Sequence, residues 1–164
     1  MKLYDSVFIH KLFNSDFNYI YDALIINSKY SADSIIEKYS LLEFATQKCT
    51  FKVWHMIFYY SGNNINNTPK GKYDDSYNTN LLLLSIYNPD LLVLNFILES
   101  NMNNKQKYCN MAINLARSLD KKEHYRKLIN SGHANKTLYN DSNNEEDLID
   151  LEKIDKDLIS LTLT

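Results

Sequence analysis

Glycine and proline are scarce in this chain: Gly62, Gly71, Gly132, Pro69 and Pro89 are all that 164 residues contain. A β-sandwich or barrel needs many tight turns built from these residues, so their scarcity points to helices joined by polar loops. Cysteine is equally short. Cys49 and Cys109 make neither a disulfide framework nor a metal cluster, and both fall inside helical patterns, where they read as small, reduced, semi-buried thiols. Long apolar runs are missing too. The longest, residues 91–98, is broken by Asn95 and falls well short of the roughly 18–20 residues needed to span a bilayer.

The opening residues Met1-Lys2-Leu3-Tyr4-Asp5-Ser6 hold no uninterrupted apolar stretch, which speaks against a secretory signal. The expectation is an intracellular protein, cytoplasmic or nuclear. Sequons at Asn66, Asn135 and Asn140 carry no weight without such a signal.

Motifs that carry chemistry are absent as well. The histidines His10, His55, His124 and His133 form no HExxH and no Cys/His spacing suited to zinc. Glu123 and His124 are adjacent, and adjacent helical residues do not face one another. Neither a phosphate-cradling glycine loop nor a nucleophile elbow occurs. The sequence therefore nominates no catalytic residue, no metal ligand and no cofactor, and the chain is expected not to be an enzyme.

What is present is a globular composition, 45% hydrophobic and 23% charged, with length for one compact domain. The net charge of −2 divides unevenly. Residues 141–164 carry eight acids against Lys153 and Lys156, a net −6, which leaves +4 on the rest. An acidic tail on a basic body either masks a basic surface or solubilises the chain end.

An internal repeat organises the remainder. Residues 40–45 (SLLEFA), with Val53-Trp54 and Met56-Ile57-Phe58 after them, align without gaps on 80–85 (NLLLLS) and 111–116 (MAINLA) and their downstream apolar sets. Each copy has apolar third and fifth positions and a small sixth residue: Ala45, Ser85, Ala116. A fainter copy starts at Val7, so unit starts at Val7, Ser40, Asn80 and Met111 are spaced by 33, 40 and 31 residues. The longer interval contains a polar stretch, 63–79, that reads as an enlarged loop. Within a unit, a first helix of roughly ten residues, a turn near Cys49-Thr50, Asn88-Pro89-Asp90 or Leu119-Asp120-Lys121, and a longer, more buried second helix are expected. Ser40 and Asn80 suit N-cap positions, and Pro89 suits the first turn of the following helix. The fold expectation is all-α: three to four helix–turn–helix units stacked over residues 1–133, with an acidic tail or capping helix in 134–164.

This pattern resembles the ankyrin repeat. Asn80–Asn101, with its L-x-L-S core, Asn-Pro-Asp turn and Phe-Ile-Leu-Glu-Ser-Asn ending, is the clearest match. Residues 115–118 and 126–132 look like a second half, and Ser61-Gly62-Asn63-Asn64-Ile65-Asn66 looks like a repeat end. The resemblance covers residues 7–133. It departs from the family in lacking the Thr-Pro-Leu-His start and the Asp-Gly hairpin tip, and in placing Cys49, Pro89 and Asp120 where the inter-helix glycine belongs. Degenerate ankyrin proteins of this kind look like those of large DNA viruses, intracellular bacteria and protozoa. The resemblance implies capture or mimicry of a host or cellular regulatory protein.

Two surfaces are candidates for contact with a protein partner. On the first-helix face, Gln47, Ile86, Tyr87 and Arg117 occupy positions that line the binding side of an ankyrin stack. In the enlarged loop, Lys70, Lys72, Tyr73 and Tyr77 combine charge with aromatic area held at modest entropic cost. The tail places Leu148, Leu151, Ile154 and Leu158 at roughly amphipathic spacing. Alternative readings are a nucleic-acid-binding helical protein and a viral Bcl-2-like bundle with 91–98 as its central helix. Against the former, lysines and arginines read as scattered rather than gathered in a stripe.

Overall fold

The computed structural model describes residues 6–26, 35–66 and 80–135, and among these every regular element is a helix. In chain order they are α1 (Ser6–Phe13), α2 (Phe17–Tyr21), α3 (Ile35–Lys48), α4 (Phe51–Tyr60), α5 (Leu81–Ser85), α6 (Leu91–Glu99), α7 (Lys105–Ser118) and α8 (Lys122–Asn130). A π-helical turn, Asp22–Ile26, continues α2. None of these helices is long and apolar enough to cross a membrane.

The helices pair with their neighbours in sequence: α1 with α2, α3 with α4, α5 with α6, α7 with α8. Between pairs the contacts separate into two rows. First helices meet first helices, α3 against α5 and α5 against α7. Second helices meet second helices, α2 against α4, α4 against α6 and α6 against α8. The long apolar stretch 91–98 forms α6, which lies between α4 and α8 in its row.

The repeat signal in the sequence maps onto the core. Its third positions Leu42, Leu82 and Ile113 and its small sixth positions Ala45, Ser85 and Ala116 are buried. The fifth positions Phe44, Leu84 and Leu115 are half-buried and pack at its margin. Small side chains at the buried sixth position let neighbouring first helices approach closely. On the second helices, Val53 and Val93 match His124, Trp54 and Leu94 match Tyr125, and Ile57 and Ile97 match Leu128; all are buried.

Helix starts follow polar chemistry. Asp16 caps α2 by accepting the Tyr19 amide at 3.2 Å, Asn80 caps α5 through the Leu82 amide at 2.9 Å, and Asp90 caps α6 through the Leu92 amide at 3.1 Å. Lys11 donates to the other oxygen of Asp16 at 2.9 Å. That bond, with the Tyr19 amide behind it, holds the Asp16 carboxyl below its ordinary range.

Four sequence expectations need correction. Ser40 is not a cap but lies within α3, because Ile35–Tyr39 contains no breaker and the helix extends through it. Pro89 stands one residue before the Asp90 cap rather than at the first helical position, since the aspartate carboxylate takes the cap. The second helix is not the longer one in the α3–α4 and α7–α8 pairs, where α3 and α7 have 14 residues each, α4 has 10 and α8 has 9, although α6 with 9 residues does exceed α5 with 5. Finally, the residues preceding the second helices are Asp16, Thr50, Asp90 and Lys121. Aligned on them, the first unit begins at Ser6, not Val7, which puts buried Ile20 in the place of Trp54.

Candidate interaction surface

The turns between helices are joined by hydrogen bonds from unit to unit. Cys49 Sγ donates to the Leu12 carbonyl at 3.4 Å, and the Thr50 amide donates to Ser15 Oγ at 2.9 Å. The Phe51 amide donates to Asp90 Oδ2 at 2.7 Å, so one carboxylate serves the starts of both α6 and α4. Asn88 is the centre of this ladder. Its side-chain amide donates to the carbonyls of Thr46 (3.0 Å) and Cys49 (2.7 Å), while its Oδ1 accepts the Asp90 amide at 2.9 Å. Its own carbonyl lies 2.7 Å from Nε2 of His124, which carries the ladder to α8. Among the described residues, the buried polar side chains of Thr46, Ser85, Asn88 and His124 are all hydrogen-bonded, as burial requires.

Burial pushes the His124 imidazole below its ordinary value of 6.5, and Lys121 adds to this; the Asn88 carbonyl and Glu123 oppose it. An unfolded chain then takes up a proton on His124 at higher pH than the folded one does. This contribution to stability is complete above the unfolded value and is lost as pH falls below it. The urea midpoint is expected to drop between pH 7.5 and pH 5.5, with a shallower drop in His124→Gln. Equal slopes for the two proteins would show that His124 contributes nothing to the pH dependence.

Burial also raises both thiols, Cys49 to about 12 and Cys109 to about 11, so neither is a nucleophile at neutral pH. No group of three or more His, Cys, Asp or Glu side chains able to hold a metal ion occurs among the described residues. A shallow cleft between the loops after α4 and α6 is lined by Asn66, Asn80, Asn103, Asn104 and Tyr108, with Ile65 and Leu81. Amides can hydrogen-bond a ligand there, but they neither take nor give a proton at neutral pH. Asn66 ties the two loops together, donating to the Asn101 carbonyl at 3.2 Å and accepting the Asn103 amide at 2.8 Å.

The residues nominated from sequence separate sharply. Ile86 is 0% exposed and belongs to the core, so it offers no contact surface. Its position, four residues before the Asp90 cap, faces inward in the preceding units too, where Leu12 and Thr46 are buried. Arg117 holds the same position in the last hairpin but is exposed. Tyr87 is 43% exposed. Gln47 is half-buried, its amide 3.4 Å from the Glu43 carbonyl. Lys70, Lys72, Tyr73 and Tyr77 lie outside the described residues, as does the tail beyond Asn135. No protein-family model, curated protein or solved structure matches the chain.

One exposed aromatic near the second-helix caps escaped the sequence reading. Three residues before each cap stand Phe13, Gln47, Tyr87 and Ser118, at the ends of α1, α3 and α7 and in the turn after α5, all at least partly exposed. Phe13 is 53% exposed and meets Phe44 edge-on at 4.9 Å between ring centroids. With the first unit started at Val7, Phe13 falls in register with buried Thr46; moving the start to Ser6 brings it level with Tyr87. The signal that finds it is Asp16, a cap residue matching Thr50 and Asp90.

Proposed function

We propose that this chain is an ankyrin-like stack of two-helix units that binds another protein through the exposed row on its first helices, and that it is not an enzyme. The observation that carries the reading is the set Phe13, Gln47, Tyr87 and Ser118, one per hairpin three residues before each second-helix cap, with α3, α5 and α7 in contact in sequence and Phe13 against Phe44 of α3. Supporting it are the segregation of first and second helices into two rows and the hydrogen-bonded ladder through the turns. Each unit buries its face against its neighbours, as repeat architectures require. Exposed aromatics on a rigid scaffold suit protein recognition, since they offer large area for few rotatable bonds. The partner class that follows from the ankyrin resemblance is a host or cellular regulatory protein.

The test is affinity capture with the tagged protein, comparing wild type with Tyr87→Ala and Phe13→Ser. Loss of a central aromatic is expected to weaken a bound protein by about thirtyfold, corresponding to roughly 2 kcal/mol. Ile86→Asp is unsuitable as a surface probe, because a carboxylate at a fully buried site unfolds the scaffold. Recovery of nuclease-sensitive material, indifferent to Tyr87 and Phe13, would overturn the protein-binding reading in favour of nucleic acid.

A further inference from the structure

The positive charge of the body is not spread evenly over its elements. Residues 105–130, which form α7 and α8, hold seven lysines and arginines against Asp120 and Glu123, a net +5. Residues 1–104 sum to −2. The whole cationic surplus therefore sits on the last described hairpin, next in the chain to a segment of opposite sign. Lys107, Arg117, Lys122 and Lys127 are exposed, and among the described residues none is within ion-pair distance of a carboxylate. The same hairpin leaves Met111 and Leu119 partly exposed.

We propose that the acidic segment 145–158 of this same chain docks on the cationic surface of α7 and α8. Residues 141–164 carry a net −6 against the +5 of the hairpin, so the two nearly neutralise one another. The acids Glu145, Glu146, Asp147, Asp150, Asp155 and Asp157 alternate with Leu148, Leu151, Ile154 and Leu158, which matches a surface both cationic and partly apolar. The tether favours this partner over any other. The Asn135 amide donates to Asn110 Oδ1 at 2.9 Å, so the chain leaves the body beside α7. The ten residues from there to Glu145 can span up to about 35 Å, whereas a 14-residue helix such as α7 is about 21 Å long. Every cation of the hairpin is within reach. A short tether holds the acids at an effective concentration on the order of millimolar, which an outside polyanion must overcome.

The docked segment makes the hairpin a masked surface. Zero-length carbodiimide coupling of the unaltered full-length monomer tests this directly. At low salt, links are expected from carboxylates in 145–157 to Lys122 or Lys127 within one chain, and they are expected to fall several-fold at about 0.5 M salt, where exposed charges are screened. Links distributed equally to Lys11, Lys48 and Lys52, or formed only between chains, would overturn the proposal. A second measurement uses the full chain with all seven acids from Glu145 to Asp157 changed to their amides. Its affinity for a single-stranded oligonucleotide probe, with helicity unchanged, is expected to rise about tenfold over wild type at low salt. Equal affinity for the two chains would show the surface already open and overturn the docking. The coupling map uses the natural chain, so it decides the matter even where the amide variant folds poorly.

Discussion

Asn88→Ala is expected to destabilise the protein by about 3–4 kcal/mol, a large share of the stability of a domain this size. The change deletes the donor that serves the carbonyls of Thr46 and Cys49, which belong to the end of α3 and the turn after it. A helix end has no intrahelical partners for its last carbonyls, and a buried carbonyl left unpaired costs about 1–3 kcal/mol. The change also removes the acceptor that holds the Asp90 amide, and with it the carboxylate that caps α6 and takes the Phe51 amide. Trp54 is the only tryptophan, so its fluorescence in a urea titration reads the loss directly. Asn88→Asp is a sharper control: it keeps the acceptor but turns an anion toward two carbonyls, and is expected to be at least as damaging. A loss below about 0.5 kcal/mol for Asn88→Ala would show that the inter-turn ladder contributes little.

Trp54→Ala is expected to cost about 3–5 kcal/mol, the range for emptying a buried aromatic site. Trp54 is fully buried, stacked on Phe58 with ring centroids 5.1 Å apart and meeting Phe96 edge-on at 5.2 Å. It fills the space between α4 and α6, so its removal opens the contact between two units rather than a pocket inside one. Trp54→Phe separates packing from hydrogen bonding. It keeps much of the ring contact and loses only the Nε1 bond to Thr46 Oγ1 at 2.9 Å, whose hydroxyl still donates to the Leu42 carbonyl at 2.7 Å. The expected cost is about 1–2 kcal/mol. Far-UV circular dichroism in urea measures both variants. Because Trp54 and Asn88 both bond to Thr46, the double variant is expected to lose less than the sum of the singles. Strict additivity would mean that the packing and the ladder act independently.

Helical class, the turns and most of the core were legible in the sequence because each had a local cause. The lack of glycine and proline made helices the economical choice, and apolar spacing marked Leu42, Leu82 and Ile113 as inward-facing. The polar turn near Asn88-Pro89-Asp90 announced itself by residue type. The ladder was not legible, because its bonds join residues about forty positions apart: Phe51 to Asp90, Asn88 to Cys49, His124 to Asn88. Spacing cannot reveal which of several asparagines turns its amide inward. Ile86 was misplaced for a related reason. Its neighbour Tyr87 shares its apolar character, and only the tight turns after α5, with the Tyr87 amide bonded to the Leu84 carbonyl, determine which of the two faces the core. The cationic hairpin was hidden by counting over the whole body, where the deficit in residues 1–104 dilutes it.

The brevity of α5 bears on how the molecule assembles. Leu81–Ser85 is five residues long, and isolated helices shorter than about 12–15 residues are marginal in water. Its leucines gain their burial against α6 and between α3 and α7, two 14-residue helices that meet their own partners α4 and α8 through local contacts. Refolding is therefore expected to begin at the two flanking hairpins, with α5 closing between them as the last wedge. Until it closes, the described halves meet through α4, α6 and α8, and α5 itself is the segment whose amides gain protection from exchange last.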